Sequence, residues 1–472
     1  MLMIILICAV FGLWAWCRWN GNENEPPACP GSLPLIGHLH LFCGNKLWNT
    51  FKEFCNESFK ADGVMSVSLG PKTVYMISDP EDFLTVANTC LEKDSFYEFG
   101  KAWIGEGLLT GAVPIWKDHR KLLNPAFSQV VLDGFLDVFN KQARRLVKDL
   151  EKEVGKGPFD HFVYTRHNTM LNSQYVNAAE QMFNVLVDRF QKFWLHNNFI
   201  YSWSSLRKKE DGYLNILHNV SDTVLKKRKA DNLNKNNPEK VEMMQGLKFK
   251  PFMDLLLELA IEKQAFHDRE IREHVDTMIV VGHDTTASVL MYSMLLVGSY
   301  PHVQERIFEE LNDVFGDDDR DATKYDLSQL FYLEAVLKET MRFYPNIPII
   351  ARYLDKNVKL RNCTLTKGRT CAMLVYGMHR HPMWGPDAEE FKPERWLNPA
   401  TLPKYPTAFA AFSMGKRNCI GKSYAYMSMK TTLAHLYRHY RVTGDHTKLQ
   451  AKLDIMLKPE SGYYVSIERR KK

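Results

Sequence analysis

The stretch Phe412-Ser-Met-Gly415-Lys-Arg417-Asn-Cys419-Ile-Gly421 decides the fold, because it sets one cysteine between glycines at the start of an apolar-periodic helix. At a helix N-terminus, free backbone N–H groups and the helix dipole favour a thiolate, so the pattern predicts a low pKa for Cys419. Gly415 and Gly421 lack Cβ atoms, which we interpret as room for a flat, bulky ligand. Arg417 can pair with a carboxylate of that ligand. The stretch therefore predicts a metal-binding thiolate rather than a buried structural cysteine.

This stretch resembles the haem-binding signature of the cytochrome P450 family, Phe-x-x-Gly-x-Arg-x-Cys-x-Gly, with every fixed position matched. The resemblance implies a bound haem b with Cys419 as the iron ligand, and in this family the axial thiolate favours O–O cleavage. It also implies that the other fixed positions contact the haem, namely Phe412, Gly415, Arg417 and Gly421. The expected fold is mainly α with a smaller β region, a single large P450-like haem-thiolate fold behind an N-terminal membrane anchor helix.

Length and composition agree with one large catalytic domain. The chain has 472 residues, 45% of them hydrophobic, which is enough to bury a large core. A formal net charge of +6 is mild for this length and argues against nucleic-acid binding. Nine cysteines without regular spacing do not indicate a disulfide framework, so we expect a reducing compartment.

The N-terminal residues are predicted to anchor the chain in a membrane. Residues 2–17 are almost wholly apolar and are followed by Arg18 and Trp19, so residues 1–19 predict an uncleaved anchor, with a cleaved signal peptide as the competing interpretation. Residues 20–37 are rich in proline and predict a stiff, extended hinge, followed by the catalytic domain over residues 38–472. Arg18 favours a cytosolic catalytic domain, and the resemblance to microsomal members places the anchor in the endoplasmic reticulum membrane.

A long buried helix is predicted from Asp268 to Gly298, with a polar interruption at Gly282-His-Asp284-Thr285-Thr286. We expect a bend there, lined by an acid and alcohols. The segment matches the family's Gly-x-Asp-Thr-Thr motif, which implies that Asp284 and Thr285 deliver protons during oxygen activation. In the fatty-acid-hydroxylating branch a glutamate that esterifies the haem often stands at the position of Val281, so Val281 argues against that covalent link.

Two further motifs resemble those of the family. Trp116 and Arg120 lie at i and i+4 on a helix opened by Pro114; the ordinary alternative is a solvated amphipathic helix, but in the family this Trp-x-x-x-Arg pair meets a haem propionate. Arg352 is a further propionate candidate. The resemblance also implies a buried charge triad that supports the fold and haem incorporation, formed by Glu339, Arg342 and Arg395.

The helix predicted from Asn177 to Leu195 ends in aromatic residues, and more follow it: Phe193, Trp194, Phe199, Tyr201 and Trp203. We weigh two interpretations equally, contact with a membrane interface and burial in the core. Upstream, family members usually continue past Asn168 through a buried helix of about four turns, whereas this chain passes from Thr169 to Tyr175 almost at once. A core helix therefore looks missing near residues 169–175.

The resemblance implies an NADPH- and O₂-dependent monooxygenase that hydroxylates or epoxidises an apolar small molecule. A flavoprotein reductase supplies the electrons, with cytochrome b5 as a further candidate partner, and the basic docking patch would consist of Lys117, Lys121, Lys416 and Lys422. The residues Glu273-His-Val-Asp-Thr277 look most like insect members related to the fatty-acid-hydroxylase branch, which suggests a fatty acid, odorant, hormone or xenobiotic as substrate.

Two alternatives stay open at the level of sequence. The shortened segment near residues 169–175 favours a haem-binding protein without turnover or an inactive variant. A haem-thiolate isomerase or peroxide-using enzyme would need no reductase, but Asp284 and Thr285 argue against it.

Overall fold

The computed structural model of the chain describes residue 12 and residues 24–42, 47–167, 173–233 and 252–470. The chain is mostly helical with a smaller share of strands, as predicted. In chain order the helices are α1 (Leu47–Lys60), α2 (Pro80–Thr89), α3 (Lys101–Ile104), α4 (Val113–Leu123), α5 (Gln129–Asp133), α6 (Leu136–Leu150), α7 (Phe162–His167), α8 (Ser173–Gln191), α9 (Asn198–Ser202), α10 (Ser205–Leu233), α11 (Phe252–Lys263), α12 (Asp268–Ser299), α13 (Pro301–Phe315), α14 (Lys324–Gln329), α15 (Phe331–Phe343), α16 (Val375–Met378) and α17 (Lys422–His439).

In the described part of the chain, the strands are short and lie in four separate sheets. In chain order they are β1 (Val64–Leu69), β2 (Lys72–Ile77), β3 (Phe159–Asp160), β4 (Ile350–Tyr353), β5 (Val358–Lys359), β6 (Thr364–Leu365), β7 (Thr370–Met373), β8 (Tyr440–Gly444), β9 (Ala451–Leu453), β10 (Leu457–Pro459) and β11 (Tyr464–Arg469).

The chain divides into two compact units. Unit 1 contains the described residues up to Ser95 together with Ile347–Glu390 and Leu402–Asn418, and unit 2 contains Phe96–Asn346, Phe391–Thr401 and the described residues from Cys419 onward. The chain crosses from unit 1 into unit 2 between Asn418 and Cys419. The signature stretch is therefore shared between the two units.

Unit 1 is built on a four-stranded sheet with the order β1-β2-β7-β4, in which only the β2–β7 pair is parallel. The hairpin of β1 and β2 turns at Gly70, whose φ of +60° suits a residue without Cβ. Asp79 then caps α2, since its Oδ1 accepts hydrogen bonds from the N–H groups of Glu81 (2.9 Å) and Asp82 (3.0 Å). The alternating residues on either side of Gly70-Pro71 predict this hairpin and Asp79-Pro80 predicts the start of this helix, and both predictions are confirmed.

The described part of the proline-rich region lies along the outer edge of β1. The N–H of Ser66 donates to Pro27 O and the N–H of Cys29 donates to Ser66 O, each at 2.8 Å, while the N–H of His38 donates to Ser68 O at 2.7 Å. The buried ring of His38 also lies 3.2 Å from Cys29 O. Residues 27–38, the hinge segment, are thus joined to the sheet by backbone hydrogen bonds.

Unit 2 is organised around α12, which agrees with the predicted helix from Asp268 to Gly298 and begins with a capping box between His267 and Glu270. Its C-terminal end packs closely on β8, where a Cβ at Gly298 would come 2.9 Å from Gly444 N. The helix runs without a break through Gly282, so the predicted bend is not present as an interruption of the helix. Strand β8 belongs to a three-stranded sheet with the order β3-β11-β8.

Among the described residues, α12 is the one helix that is long and apolar enough to cross a membrane. Most of its apolar window is buried in the protein, as expected of a core helix, so it is weak evidence for a span. The predicted anchor at residues 1–19 lies outside the described residues apart from Gly12. Residues 168–172 of the predicted shortened segment also lie outside them, with α7 and α8 on either side.

Candidate active site

Cys419 lies three residues before α17, and the N–H of Gly421, the N-cap residue, donates a hydrogen bond to its sulfur. The positive charges of Arg120 and Lys422 also act on the thiol. Part of the residue is exposed, but its sulfur lies among protein atoms, and this desolvation outweighs the N–H and the two cations and raises the pKa of Cys419. The predicted low pKa is therefore wrong for the thiol without a metal; a coordinated metal ion would deprotonate it outright.

A metal ion bound at Cys419 would need ligands besides its sulfur. Within the described ranges, no group of three or more His, Cys, Asp or Glu side chains is arranged to hold a metal ion. The ring nitrogens of a haem would supply such ligands, and Cys419 would hold that group through its sulfur.

Helix α4 places Trp116 and Arg120 on one face, as their spacing predicts. Trp116 is buried, whereas Arg120 is half-buried and its Nε donates to Asn124 Oδ1 at 2.8 Å. Burial lowers the pKa of Arg120, and the nearby Cys419 opposes that shift. Arg120 thus lies within electrostatic reach of the sulfur, which makes this face of α4 part of the surroundings of Cys419.

Unit 1 holds a group of three cations, of which the sequence motifs mark only Arg352 and Arg417. Arg352 is almost fully buried on β4, and its backbone forms an isolated β-bridge with Lys93. The pKa of Lys93 is well below its usual range because the side chain is desolvated and because Arg352 and Arg417 add positive charge. Positive charges at close range repel one another, and together they would attract an anion such as the carboxylates of a haem. Lys93 was missed because no sequence motif marks it.

The glycines of the signature have different surroundings. Gly415 has a φ of +72°, and a Cβ there would come 2.9 Å from Ala87 O and from Asn88 Oδ1. Glycine is therefore required at position 415 because the loop packs against the end of α2. This reason differs from the predicted one, which was room for a flat ligand. A Cβ at Gly421 would meet only Cys419 Sγ, at 3.9 Å. Phe412 lies half-buried in a turn of the same loop.

Asp284 and Thr285 lie in the middle of α12. Asp284 is buried and its Oδ1 lies 2.9 Å from His283 Nδ1. Thr285 Oγ1 donates to Val281 O at 2.6 Å, and the carbonyl of Thr285 accepts from Asn346 Nδ2 at 3.3 Å. The buried acid and the hydroxyl are thus adjacent on the helix, an arrangement that can hold and pass protons.

The structure brings Glu339 and Arg342, both on α15, together with Arg395 from the turn at Pro393–Trp396, and all three are buried. Arg342 makes a bidentate pair with Glu339, with Nε 2.8 Å from Oε2 and Nη2 2.7 Å from Oε1, and Arg395 Nε donates to Oε1 at 3.0 Å. Trp396 Nε1 and the N–H of Lys392 add donors at 2.9 Å each. Every lone-pair direction of the carboxylate is therefore well supplied, which a buried charge requires.

Comparison with known proteins decides the family, because the sequence model described as Cytochrome P450 matches residues 27–467. The chain belongs to the cytochrome P450 family. It is 31% identical to Cytochrome P450 4V2 of Homo sapiens, over 96% of this chain and 91% of that relative. It is 32% identical to Cytochrome P450 4V2 of Mus musculus, over 99% and 94%. It is 31% identical to Cytochrome P450 4c3 of Drosophila melanogaster, over 93% and 89%.

These matches confirm the predicted resemblance, including that to the insect members related to the fatty-acid-hydroxylase branch. As a cytochrome P450, the chain is a haem-thiolate monooxygenase. The family uses haem b and O₂, with electron supply from NADPH through a reductase, and acts on small molecules. The comparisons give no support to the alternative of a haem-binding protein without turnover.

Proposed function

We propose that this cytochrome P450 is an NADPH-dependent monooxygenase that hydroxylates or epoxidises an apolar small molecule such as a fatty acid, odorant, hormone or xenobiotic. The observation that carries the proposal is the position of Cys419 at the start of α17, within reach of the charge of Arg120. The apolar side chains that pack around α12 just before Asp284 support an apolar substrate, among them Leu109, Phe183, Val280 and Val281.

The haem would be held by a sulfur ligand to the iron and by basic and aromatic side chains next to the carboxylates of the ring. Cys419 would ligate the iron, and Trp116 and Arg120 would face a carboxylate of the ring. Arg352, Arg417 and the additional residue Lys93 would supply positive charge to carboxylates, with Phe412, Gly415 and Gly421 along the same loop. When bound, the group supplies the binding and reductive cleavage of O₂.

Proton handling would fall to the middle of α12. Asp284 is buried and would hold a proton at its carboxyl group, and the hydroxyl of Thr285 would donate it toward the oxygen site. The contact between Asp284 Oδ1 and His283 Nδ1 would orient the carboxyl. The triad of Glu339, Arg342 and Arg395 would keep the fold competent for haem incorporation without taking part in the reaction.

Membrane attachment would use two elements, the anchor at residues 1–19 and an aromatic surface formed by Phe193, Trp194, Phe199 and Trp203. These four side chains are between 51% and 81% exposed, which is unusual for aromatic residues facing water alone. Of the two interpretations of this region, exposure favours the membrane over the core for these four residues, although Tyr201 is buried. We place the protein in the endoplasmic reticulum membrane with a cytosolic catalytic domain.

The electron donor would be an NADPH-dependent flavoprotein reductase, with cytochrome b5 as a second donor. Lys117 and Lys121 are exposed on α4, the helix that carries Arg120, and Lys422 is exposed at the start of α17. Lys416 is exposed in the signature loop. Such lysines can attract an acidic partner to the helices next to Cys419.

The optical spectrum of the reduced protein in membranes under carbon monoxide tests the proposal. We expect a strongly red-shifted Soret band that is absent from Cys419→Ala, because only a thiolate ligand produces that shift. NADPH oxidation in the presence of a reductase then tests the electron source. A Soret band typical of a neutral ligand in the wild type, or a red-shifted band that survives in Cys419→Ala, would contradict the assignment of the ligand.

A further inference from the structure

Lys458 lies half-buried on β10, in the hairpin that β10 forms with β9. Among the described residues, its ammonium group has no ion pair and no hydrogen bond, and the contact that it does make is with an aromatic ring. A lysine drawn toward the interior without an anionic partner gives up part of its hydration, so its position requires an explanation.

A second lysine stands directly opposite Lys458 in the hairpin. The register of β9 and β10 pairs Lys458 with Lys452, so the two side chains leave the same face of the hairpin. Like charges in this arrangement repel each other. Lys452 is balanced by Asp454, whose Oδ1 lies 3.2 Å from Lys452 Nζ, and its side chain is 51% exposed. Lys458 has neither that acid nor that exposure.

The ring that Lys458 contacts belongs to the apolar side chains around α12. Lys458 Nζ lies 5.5 Å from the ring centre of Phe183 on α8, within the range of a cation–π contact. Phe183 packs in the same cluster as Leu109, Val280 and Val281. The ammonium group therefore lies at the edge of the apolar side chains that we assign to the substrate.

The hairpin is fixed to the middle of α12 by hydrogen bonds. The N–H of Leu457 donates to Asn346 O at 2.8 Å, and Asn346 Nδ2 donates to Thr285 O at 3.3 Å. Leu457 O accepts from Tyr292 Oη at 3.1 Å. Leu457 is fully buried and Lys458 follows it directly, so the backbone that carries the lysine is joined to Thr285 through a single residue.

We propose that Lys458 binds the carboxylate of an amphipathic substrate whose aliphatic part packs on Phe183, Val280 and Val281. The substrate would supply the anion that the described chain does not, and the apolar side chains would cover the rest of the molecule. Lys458 is thus a specificity-determining residue that selects acids over neutral compounds of the same length. This inference rests on the proposed function and adds the residue that chooses among its candidate substrates.

The first test is isothermal titration calorimetry of the haem-containing protein, which needs neither a reductase nor turnover. We expect Lys458→Met to bind sodium decanoate about ten-fold more weakly than the wild type, because a charged partner is lost. Binding of 1-decanol should be the same in both proteins, and Lys458→Arg should keep most of the affinity for decanoate. The matched control is Lys452→Met, on the opposite strand, which should bind both probes as the wild type does.

Each other outcome of this titration decides against the proposal in its own way. An equal loss of affinity for decanoate and 1-decanol in Lys458→Met would show that the contact with Phe183 only supports the fold. If the wild type binds 1-decanol as tightly as decanoate, the inference is rejected while the proposed function stands. If neither probe binds the wild type, the apolar substrate of the proposed function is rejected, and the inference with it.

The second test reverses the charge. The wild type should prefer decanoate to decyltrimethylammonium, and Lys458→Glu should have the opposite preference, since the sign of the charge at β10 decides which head group is bound. The carbon monoxide spectrum of each variant shows that it is folded. A preference that stays the same in Lys458→Glu would overturn the proposal.

Discussion

At the scale of single residues, the positive charge of Lys93 lowers the stability of the haem-free protein but would help to bind a haem. Its pKa is held well below its usual range by burial and by Arg352 and Arg417. An ammonium group that is disfavoured in the fold but protonated in the unfolded chain lowers stability at neutral pH. The same positive charge would favour the carboxylates of a haem.

We therefore predict opposite effects of Lys93→Met on the haem-free and haem-bound protein. The haem-free variant should unfold at a higher urea concentration than the wild type at pH 7, and the difference should shrink toward pH 10, because the unfolded lysine then loses its proton as well. The haem-bound variant should lose haem to an acceptor protein several-fold faster. Lys72→Met, at an exposed lysine of β2, should change neither. Equal haem loss in the two variants would contradict the assignment.

At the scale of elements, α15 carries two sets of ion pairs that differ in burial and therefore in their contribution to stability. Glu339 is fully buried with Arg342 and Arg395, whereas the side chain of Glu334, one turn earlier, is 37% exposed and pairs with Lys338 and Lys430 at 2.9 Å each. Arg395→Met should cost about 3–5 kcal/mol because it removes a partner from a buried network. Lys338→Gln should cost less than about 1 kcal/mol, since this half-buried lysine is screened by water and Glu334 keeps its pair with Lys430. Urea unfolding measures both changes, and similar costs would contradict the distinction.

Elements with strong local signals are the ones that the sequence predicts. The β1–β2 hairpin, the capped helix α2 and the long helix α12 depend on local signals, namely a Gly-Pro turn, an Asp-Pro cap and an apolar period, and all three are confirmed. Lys93 could not be predicted this way, because it comes next to Arg352 only through a β-bridge to β4, which is far along the chain. The pKa of Cys419 was mispredicted because the helix dipole is visible in the sequence and the desolvation of the sulfur is not.

At the scale of the whole molecule, the aromatic surface of Phe193, Trp194, Phe199 and Trp203 should bind lipid independently of the anchor. We predict that a chain beginning at Asn24 still sediments with phospholipid vesicles and that Phe199→Ser combined with Trp203→Ser reduces the bound fraction several-fold. Phe331→Ser is a matched control, because Phe331 is 68% exposed on α15. Loss of binding in that control as well would show that any exposed aromatic residue binds the vesicles and would contradict a specific surface. An unchanged carbon monoxide spectrum would show that each variant is folded.

The hinge segment has a consequence for aggregation. Strand β1 lies at the edge of its sheet, and the backbone bonds from Pro27, Cys29 and His38 occupy groups that would otherwise be open to another chain. A protein cut before Asn24 keeps this cover, whereas one cut after His38 exposes a strand edge of unpaired amides. The first should stay monodisperse in detergent-free buffer, and the second should assemble through β1 into larger particles.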